Sequence, residues 1–345
     1  MSRGSVDGIN GVRWTDSDWR DEAEAWIGEQ VAGLGATITG PIEQPHLVWW
    51  STVLRVPTSG GVLWFKAVQP DGAFEMRLTP FLARLRPSAT ADVLAADAER
   101  GWMLSRDAGV RLREIGDGRT PMDHWRELLP RYAELQIEVA ERGDELIALG
   151  VPERTLEILR TDLRLVAEEP ETLLLGQEMG LSPEDHHALT GGLDEFGRIC
   201  EELAGYGIPD SIQHDDFHDG NVFVRDGTYV FFDWGDACIS HPFHTLTVTL
   251  RSLAYGQKVE PGGKEIQQLR DAYLEPWTAV APRNDLIAAA DLARRTGVIG
   301  RAMAWRRFAL PMPPDVRAEN IDSVPYGIRL YLANGPWGSW DDGTF

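Results

Sequence analysis

The stretch from Gln213 to Trp234 constrains this chain more than any other. Two apolar-aromatic runs, Val222-Phe223-Val224-Arg225 and Thr228-Tyr229-Val230-Phe231-Phe232, meet at Asp226-Gly227. Asp-Gly between such runs signals a tight β-hairpin. Asn221 lies six residues before Gly227 and Asp233 six after it, so closing the hairpin carries both to its open end. Asp216 lies five residues before Asn221, in the loop that leads into the first strand. Three oxygen-bearing side chains therefore converge. A carboxylate and an amide oxygen at one mouth suit Mg²⁺, a hard ion that takes few protein ligands and keeps room for phosphates and water. A second carboxylate nearby could accept the proton of a substrate hydroxyl. These are the parts that phosphoryl transfer requires.

The rest of the chain changes period once. Thr15 to Gly33 patterns as an amphipathic helix, with Trp19, Ala23, Trp26, Ile27, Gln30 and Val31 near one face and Thr15 or Asp16 as its cap. Val53–Val56 and Gly61–Val68 then read as strands around the turn signal Pro57-Thr58-Ser59-Gly60. Lys66 falls near the end of the second. Phe74 to Leu85 patterns as a helix, and Trp102-Met103-Leu104 as a short strand. After Pro121 the pattern is helical: Trp125, Leu128, Leu129, Tyr132, Leu135 and Val139 recur at helical spacing. Further helices are expected over 153–168, 183–205, 243–255, 263–277 and 285–309, with 211–234 as the strand-rich exception. The expected class is α+β, with a small β-rich lobe over residues 1–106 and a larger, mainly helical lobe over 107–345.

Charge bears on partners. Lysine and arginine number 33 against 54 acids, a net charge of −21. Such a chain repels nucleic acid and anionic membranes; it either draws cationic ligands or simply stays soluble. The two cysteines, Cys200 and Cys238, lack metal-ligand spacing. The first residues carry acids and tryptophans rather than a secretory apolar run, and no apolar stretch reaches the roughly 18 residues of a membrane span. A cytoplasmic protein is expected.

The segment His214-Asp215-Asp216-Phe217-His218-Asp219-Gly220-Asn221-Val222, followed by Phe232-Asp233-Trp234, resembles the catalytic loop and metal aspartate of the aminoglycoside phosphotransferase family. That family belongs to the protein-kinase-like superfamily, so a two-lobe kinase-like fold is implied. Its usual form is His-Gly-Asp-Leu-His-x-Gly-Asn, and Asp215 stands where glycine is usual. No arginine follows His214, so control by a phosphorylated activation loop is not expected. The resemblance implies Asp216 as catalytic base, Asn221 and Asp233 as Mg²⁺ ligands, His214 as a buttress of the loop and His218 beside the site.

The strand Trp64-Phe65-Lys66-Ala67-Val68 resembles the kinase strand whose lysine reaches the α- and β-phosphates, with Glu75 on the next helix as its acidic partner. Lys66 is also the only lysine before Lys258. No Gly-x-Gly-x-x-Gly is present. The loop His46 to Thr52 would take its place over the phosphates, with Trp49-Trp50-Ser51-Thr52 at its tip and the Ser51 and Thr52 groups meeting phosphate oxygens, and the Arg100 to Arg106 strand with its following loop, around Trp102, Met103 and Leu104, would form the hinge that meets the adenine edge. ATP is the implied donor, with GTP left open.

The acceptor is a small-molecule hydroxyl, and the acidic charge leans toward a cationic one such as an aminoglycoside or amino sugar. Choline- or homoserine-type metabolites, or a catalytically silent nucleotide- or ligand-binding protein, are the alternatives. Asp236 could hold a substrate ammonium or cap the helix that follows. Arg306-Arg307, Trp337 and Trp340 could line the cleft or pack the lobe.

Overall fold

The computed structural model describes residues 13–309 and 323–339. The chain divides into two compact units, Met1–Ile115 with Gly220–Gly235, and Gly116–Asp219 with Asp236–Phe345. This partition differs from a boundary at residue 106. The hairpin at Gly220–Gly235 is claimed by the first unit, because its strand pairs with Val110-Arg111.

In the first unit a helix, α1 (Ser17–Gly33), starts at Asp16, whose side chain accepts from the Asp18 N–H. Its buried stripe is Trp19, Ala23, Ile27 and Val31, four residues apart. That stripe packs on Leu54, Val56, Phe65 and Trp102 of a five-stranded antiparallel sheet. The sheet runs β1-β2-β3-β5-β4, with β1 Glu43–Leu47, β2 Ser51–Thr58, β3 Gly61–Val68, β4 Val93–Asp97 and β5 Trp102–Arg106. Helix α2 (Glu75–Leu85) follows β3. A second sheet, β6-β8-β9, joins Val110–Arg111 to the hairpin strands Val222–Arg225 and Thr228–Phe231. Asp226 and Gly227 form its turn at φ 52° and 74°, the positive values that a two-residue turn of this hand demands.

Two expectations for this unit need correcting. Of the four residues expected at the loop tip, Trp49 and Trp50 lie in the turn, Val48 to Trp50, but Ser51 and Thr52 do not: both open β2. Thr52 spends its hydroxyl on the sheet, donating to the His46 carbonyl at 2.8 Å and accepting from Gln44 at 2.9 Å. Trp102, Met103 and Leu104 lie inside β5, which is paired on one side with Ala67, Lys66 and Phe65 and on the other with Asp97, Ala96 and Ala95. A strand flanked on both sides commits its backbone groups to the ladders, so of the expected hinge the loop after Arg106 is the part outside them.

The second unit is helical. Its members are α3 (Pro121–Ala140), α4 (Gly143–Ala148), α5 (Leu156–Ala167), α6 (Pro183–Ala204), α7 (Thr245–Gln257), α8 (Lys264–Leu274), α9 (Arg283–Ala309) and α10 (Ser323–Ala333), with a two-stranded ribbon of β7 (Ser211–Gln213) and β10 (Cys238–Ser240). Thr120 and Asp123 close a capping box at the start of α3. All six apolar residues read from its period are buried. Among the described residues no helix is long and apolar enough to cross a membrane. Trp337 is buried and Trp340 lies outside the described residues.

Candidate active site

The first unit holds an ion triad. Lys66 is in the middle of the sheet, opposite Val53 and Met103, and is 6% exposed. Its Nζ donates to Glu75 Oε1 at 2.7 Å and to Asp233 Oδ1 at 2.5 Å. Glu75 comes from the first turn of α2 and is fully buried. Its Oε1 also accepts from the Trp234 N–H at 3.1 Å, while its Oε2 has no hydrogen-bond partner. Burial opposes the charge on Lys66, but Asp233 and Glu75 outweigh it and hold the ammonium well above the ordinary lysine range. Burial pushes Glu75 up to about 6, with Lys66 pulling the other way.

The hairpin delivers Asp233, though in a register shifted by one from the symmetrical expectation. Val222 pairs with Phe231, and the Phe232 N–H donates to the Asn221 carbonyl at 2.9 Å. Asn221 thus faces Phe232, and Asp233 lies one step beyond. Asp233 has φ 64°, which breaks strand geometry there, so its carboxylate is freed from the strand's alternation and turns to Lys66.

These residues fit a hard divalent cation. The triad carries one lysine charge against two carboxylates, Asp233 keeps about half its side chain exposed (48%), and Asn221 adds an amide oxygen from the same mouth.

The second unit holds a different cluster, centred on Asp216. His214 is fully buried; its backbone N–H donates to the Tyr132 hydroxyl at 3.0 Å, and its Nδ1 accepts from the Asp216 N–H at 3.4 Å. Phe217 stacks on Tyr132 at 4.2 Å and meets Trp125 edge-on, which pins the loop to α3. His218 Nε2 lies 3.3 Å from Asp216 Oδ2.

Two arginines complete this cluster. Arg301 of α9 donates to Asp216 Oδ1 and to Asp236 Oδ2, both at 2.9 Å. Arg154 donates to Asp215 Oδ2 at 2.8 Å. Burial works against ionisation of Asp216, yet Arg301, then His218 and His214, hold its carboxyl far below the usual range. A carboxylate kept ionised in this way can accept a hydrogen bond from a hydroxyl and orient it.

Asp236 is neither a helix cap nor open to an ammonium. It ends a short 3₁₀ turn, Trp234–Asp236, nine residues ahead of α7, and Arg301 grips its carboxylate, with Arg307 3.9 Å away. Arg306 is held by Glu169 through two contacts, 3.0 and 2.5 Å. Sequence reading missed Arg301 and Arg154. They stand 85 and 61 residues from their aspartates, and no local spacing marks them. The one hint is charge on buried surface: Arg301 sits among Ile299, Ala302 and Ala304.

Comparison with known proteins accords with this geometry. The fold is shared with choline kinase from Cryptosporidium parvum Iowa II, at TM-score 0.60 and 11% identity over 91% of this chain and 95% of that one. It is shared with a macrolide 2'-phosphotransferase type I, at TM-score 0.56 and 14% identity over 86% and 95%. It is shared again with a wild-type aminoglycoside 2'-phosphotransferase solved with GDP, at TM-score 0.55 and 14% identity over 90% and 99%. At these identities the likeness is one of fold, a kinase-like arrangement of a small antiparallel sheet and a larger helical part. No curated protein sequence matches significantly. The model of the phosphotransferase enzyme family, however, matches residues 47–283, which span the triad, the Asp216 loop and the hairpin. The chain belongs to the phosphotransferase enzyme family, as a kinase of small-molecule hydroxyl groups.

Proposed function

We propose that this protein moves the γ-phosphate of ATP, as its Mg²⁺ complex, to a hydroxyl of a small acceptor. The observation that carries this reading is the buried Lys66–Glu75 pair joined to Asp233 beside Asn221. A structural ion pair has no use for a half-exposed carboxylate and an orphaned oxygen, whereas a nucleotide site needs both a held lysine and spare negative charge.

Lys66, oriented by Glu75, would neutralise phosphate oxygens. Asn221 and Asp233 would hold Mg²⁺, which when bound neutralises charge developing on the transferring phosphoryl group. Asp216 would accept a hydrogen bond from the acceptor hydroxyl. That oxygen forms the new P–O bond as the bond to the departing ADP breaks, and its proton passes to Asp216. Arg301 keeps Asp216 ionised for this, and His214 and Phe217 fix its loop.

The test is ADP release from Mg-ATP, and separately Mg-GTP, against a panel of aminoglycosides, amino sugars, choline, homoserine and simple polyols. Asp216→Asn should lose at least about a thousandfold in kcat while binding nucleotide normally, as expected when the positioned base of a transfer reaction is removed. Asp233→Ala should abolish Mg-nucleotide binding. Wild-type turnover in Asp216→Asn would remove the base assignment. Tight Mg-ATP binding with no acceptor-dependent release would point instead to a silent nucleotide-binding protein.

A further inference from the structure

The first unit brings two more nitrogen donors to the mouth of the triad, one from each of its sheets. In the large sheet His46 of β1 lies opposite Val53 of β2, which lies opposite Lys66 of β3. Residues directly opposite across antiparallel strands share a face, so His46 and Lys66 stand on the same one. The next row agrees: Leu47, opposite Thr52, packs on the other face with Leu54, Val56 and Phe65 against the α1 stripe. His46 is on the edge strand, two strand spacings or about 10 Å from Lys66 along the sheet. In the small sheet Arg111 of β6 lies opposite Phe223 of β8, and Asn221 comes two residues before Phe223. Strand alternation puts Asn221, Phe223 and Arg111 on one face. The Arg111 guanidinium stands over the Phe223 ring, 5.7 Å from its centroid.

The two donors belong to one electrostatic cluster. The protein packed around His46 lowers its pKa most; Asp233 then raises it, and Lys66 and Arg111 lower it. One imidazole thus feels the carboxylate and the ammonium of the triad and the arginine of the other sheet. It is open to solvent and yet crowded, the setting of a side chain in the wall of a recess.

Neither donor is spent on the fold. The His46 imidazole makes no hydrogen bond among the described residues; only its backbone carbonyl is engaged, accepting from Thr52 at 2.8 Å. Arg111 has one ion pair, with Glu114 at 4.0 Å, and both side chains are more than half exposed, so the pair is worth little. The backbone beside His46 is tied down all the same. In the turn after β1 the Trp49 carbonyl accepts from Trp14 Nε1 at 3.3 Å and from Gln69 Nε2 at 3.2 Å. A donor presented by a fixed strand loses little freedom when a ligand takes it. The triad, by contrast, carries one lysine against two carboxylates and by itself repels a polyanion. Arg111, together with a metal ion at Asp233, would reverse that sign.

We propose that His46 and Arg111, with Lys66, form a cradle for the polyphosphate of the nucleotide, in place of the glycine-rich loop that the sequence lacks. This rests on the nucleotide reading above and deepens it.

The test is calorimetric titration of the full chain with Mg-ATP, and displacement of Mg-ATP by Mg-tripolyphosphate, which offers the phosphates without the nucleoside. Arg111→Gln should raise the Kd of Mg-ATP about tenfold or more, through loss of a charged donor. His46→Phe, which keeps a ring and removes both nitrogens, should raise it about threefold or more. Mg-tripolyphosphate should lose affinity in the same proportions. Both side chains are exposed, so melting temperatures should stay at the wild-type value. A variant that binds Mg-ATP like wild type removes its residue from the cradle, and two such variants overturn the proposal. Tripolyphosphate that fails to displace Mg-ATP from wild type, or that binds the variants undiminished, overturns it too, because the side chains would then be reading the nucleoside. The kinase reading fails separately. Mg-ATP binding weakened by both substitutions in a protein that releases no ADP with any acceptor keeps the cradle and removes the transfer reaction. Acceptor-dependent ADP release with the KM for Mg-ATP unmoved by either substitution keeps the reaction and removes the cradle. A wild type that binds no Mg-ATP removes both.

Discussion

Asp215 has φ 63°, the left-handed region that glycine enters freely and aspartate only at some cost. That explains why glycine is usual at this position in the family the loop resembles, and why a departure from it is tolerable. The backbone cost is offset by a buried ion pair with Arg154. Asp215→Gly should therefore not stabilise the protein. It relieves about 1–2 kcal/mol of backbone strain but strands a buried guanidinium, which typically costs about 3–5 kcal/mol. A net loss in urea unfolding is expected, and a gain would show that Arg154 finds another partner.

Glu75 gives a pH dependence with a definite sign. Its folded pKa is raised to about 6 from the ordinary 4.5 by burial. Its proton is therefore held more tightly in the folded state, and the stability this contributes, present below 4.5, is lost as pH rises through about 6. In the proposed mechanism function runs the other way, because there Lys66 is oriented by an ionised Glu75. The kcat/KM for nucleotide should fall as pH drops through about 6, and Glu75→Gln should flatten that limb while lowering the plateau. A limb unchanged by the substitution would assign it to another group.

At the scale of elements, the hairpin depends on two glycines for different reasons. At Gly227, φ is 74° and an added Cβ would meet nothing within 4 Å, so Gly227→Ala should cost only about 1 kcal/mol of backbone strain. At Gly109, φ is 97° and a Cβ would collide with the Val224 carbonyl, prying β6 from β8. Gly109→Ala should cost clearly more in urea unfolding, and equal costs would mean that the β6–β8 contact is dispensable.

The hairpin and helices were legible in sequence because each is a local pattern: Asp-Gly between aromatic runs, or apolar residues at helical spacing. The apolar face of α3 lay within such a pattern, whereas the Lys66–Glu75 pairing came from the resemblance to the kinase lysine strand. What escaped was set by tertiary partners. The one-residue register of the hairpin mouth follows from the turn type, and the burial of Trp102–Leu104 inside the sheet follows from β4, whose Val-Leu-Ala-Ala-Asp carries little strand signal. Arg301 and Arg154 meet their aspartates only through packing of the helical unit.

For the whole molecule, a net charge of −21 sets a background repulsion. It acts on exposed groups over a Debye length, which shrinks from about 30 Å at 0.01 M salt to about 8 Å at 0.15 M. Melting temperature should therefore rise with added sodium chloride, by about 1–2 °C for each kcal/mol of repulsion relieved, given roughly 2.1 cal/mol/K of unfolding entropy per residue. A flat or falling response would mean that surface ion pairs such as Arg164–Asp194, which salt weakens, outweigh the net charge.

The interleaving of the two units also fixes an order of events on the ribosome. Residues up to Ile115 emerge first, but Gly220–Gly235, which belong with them, emerge only after about a hundred more. At about 5–20 residues per second, that is a wait of roughly 5–20 s. In that interval the nascent sheet must shelter Lys66 and Glu75 without Asp233, and the edge of β6 lacks its partner strand. The lysine would be matched by glutamate alone, a neutral pair. Asp233, which gives the mouth its surplus negative charge, is the last member of the triad to be synthesised, so if the mouth holds a metal–nucleotide complex as proposed, the newborn lobe gains that capacity only after much of the helical unit has been made.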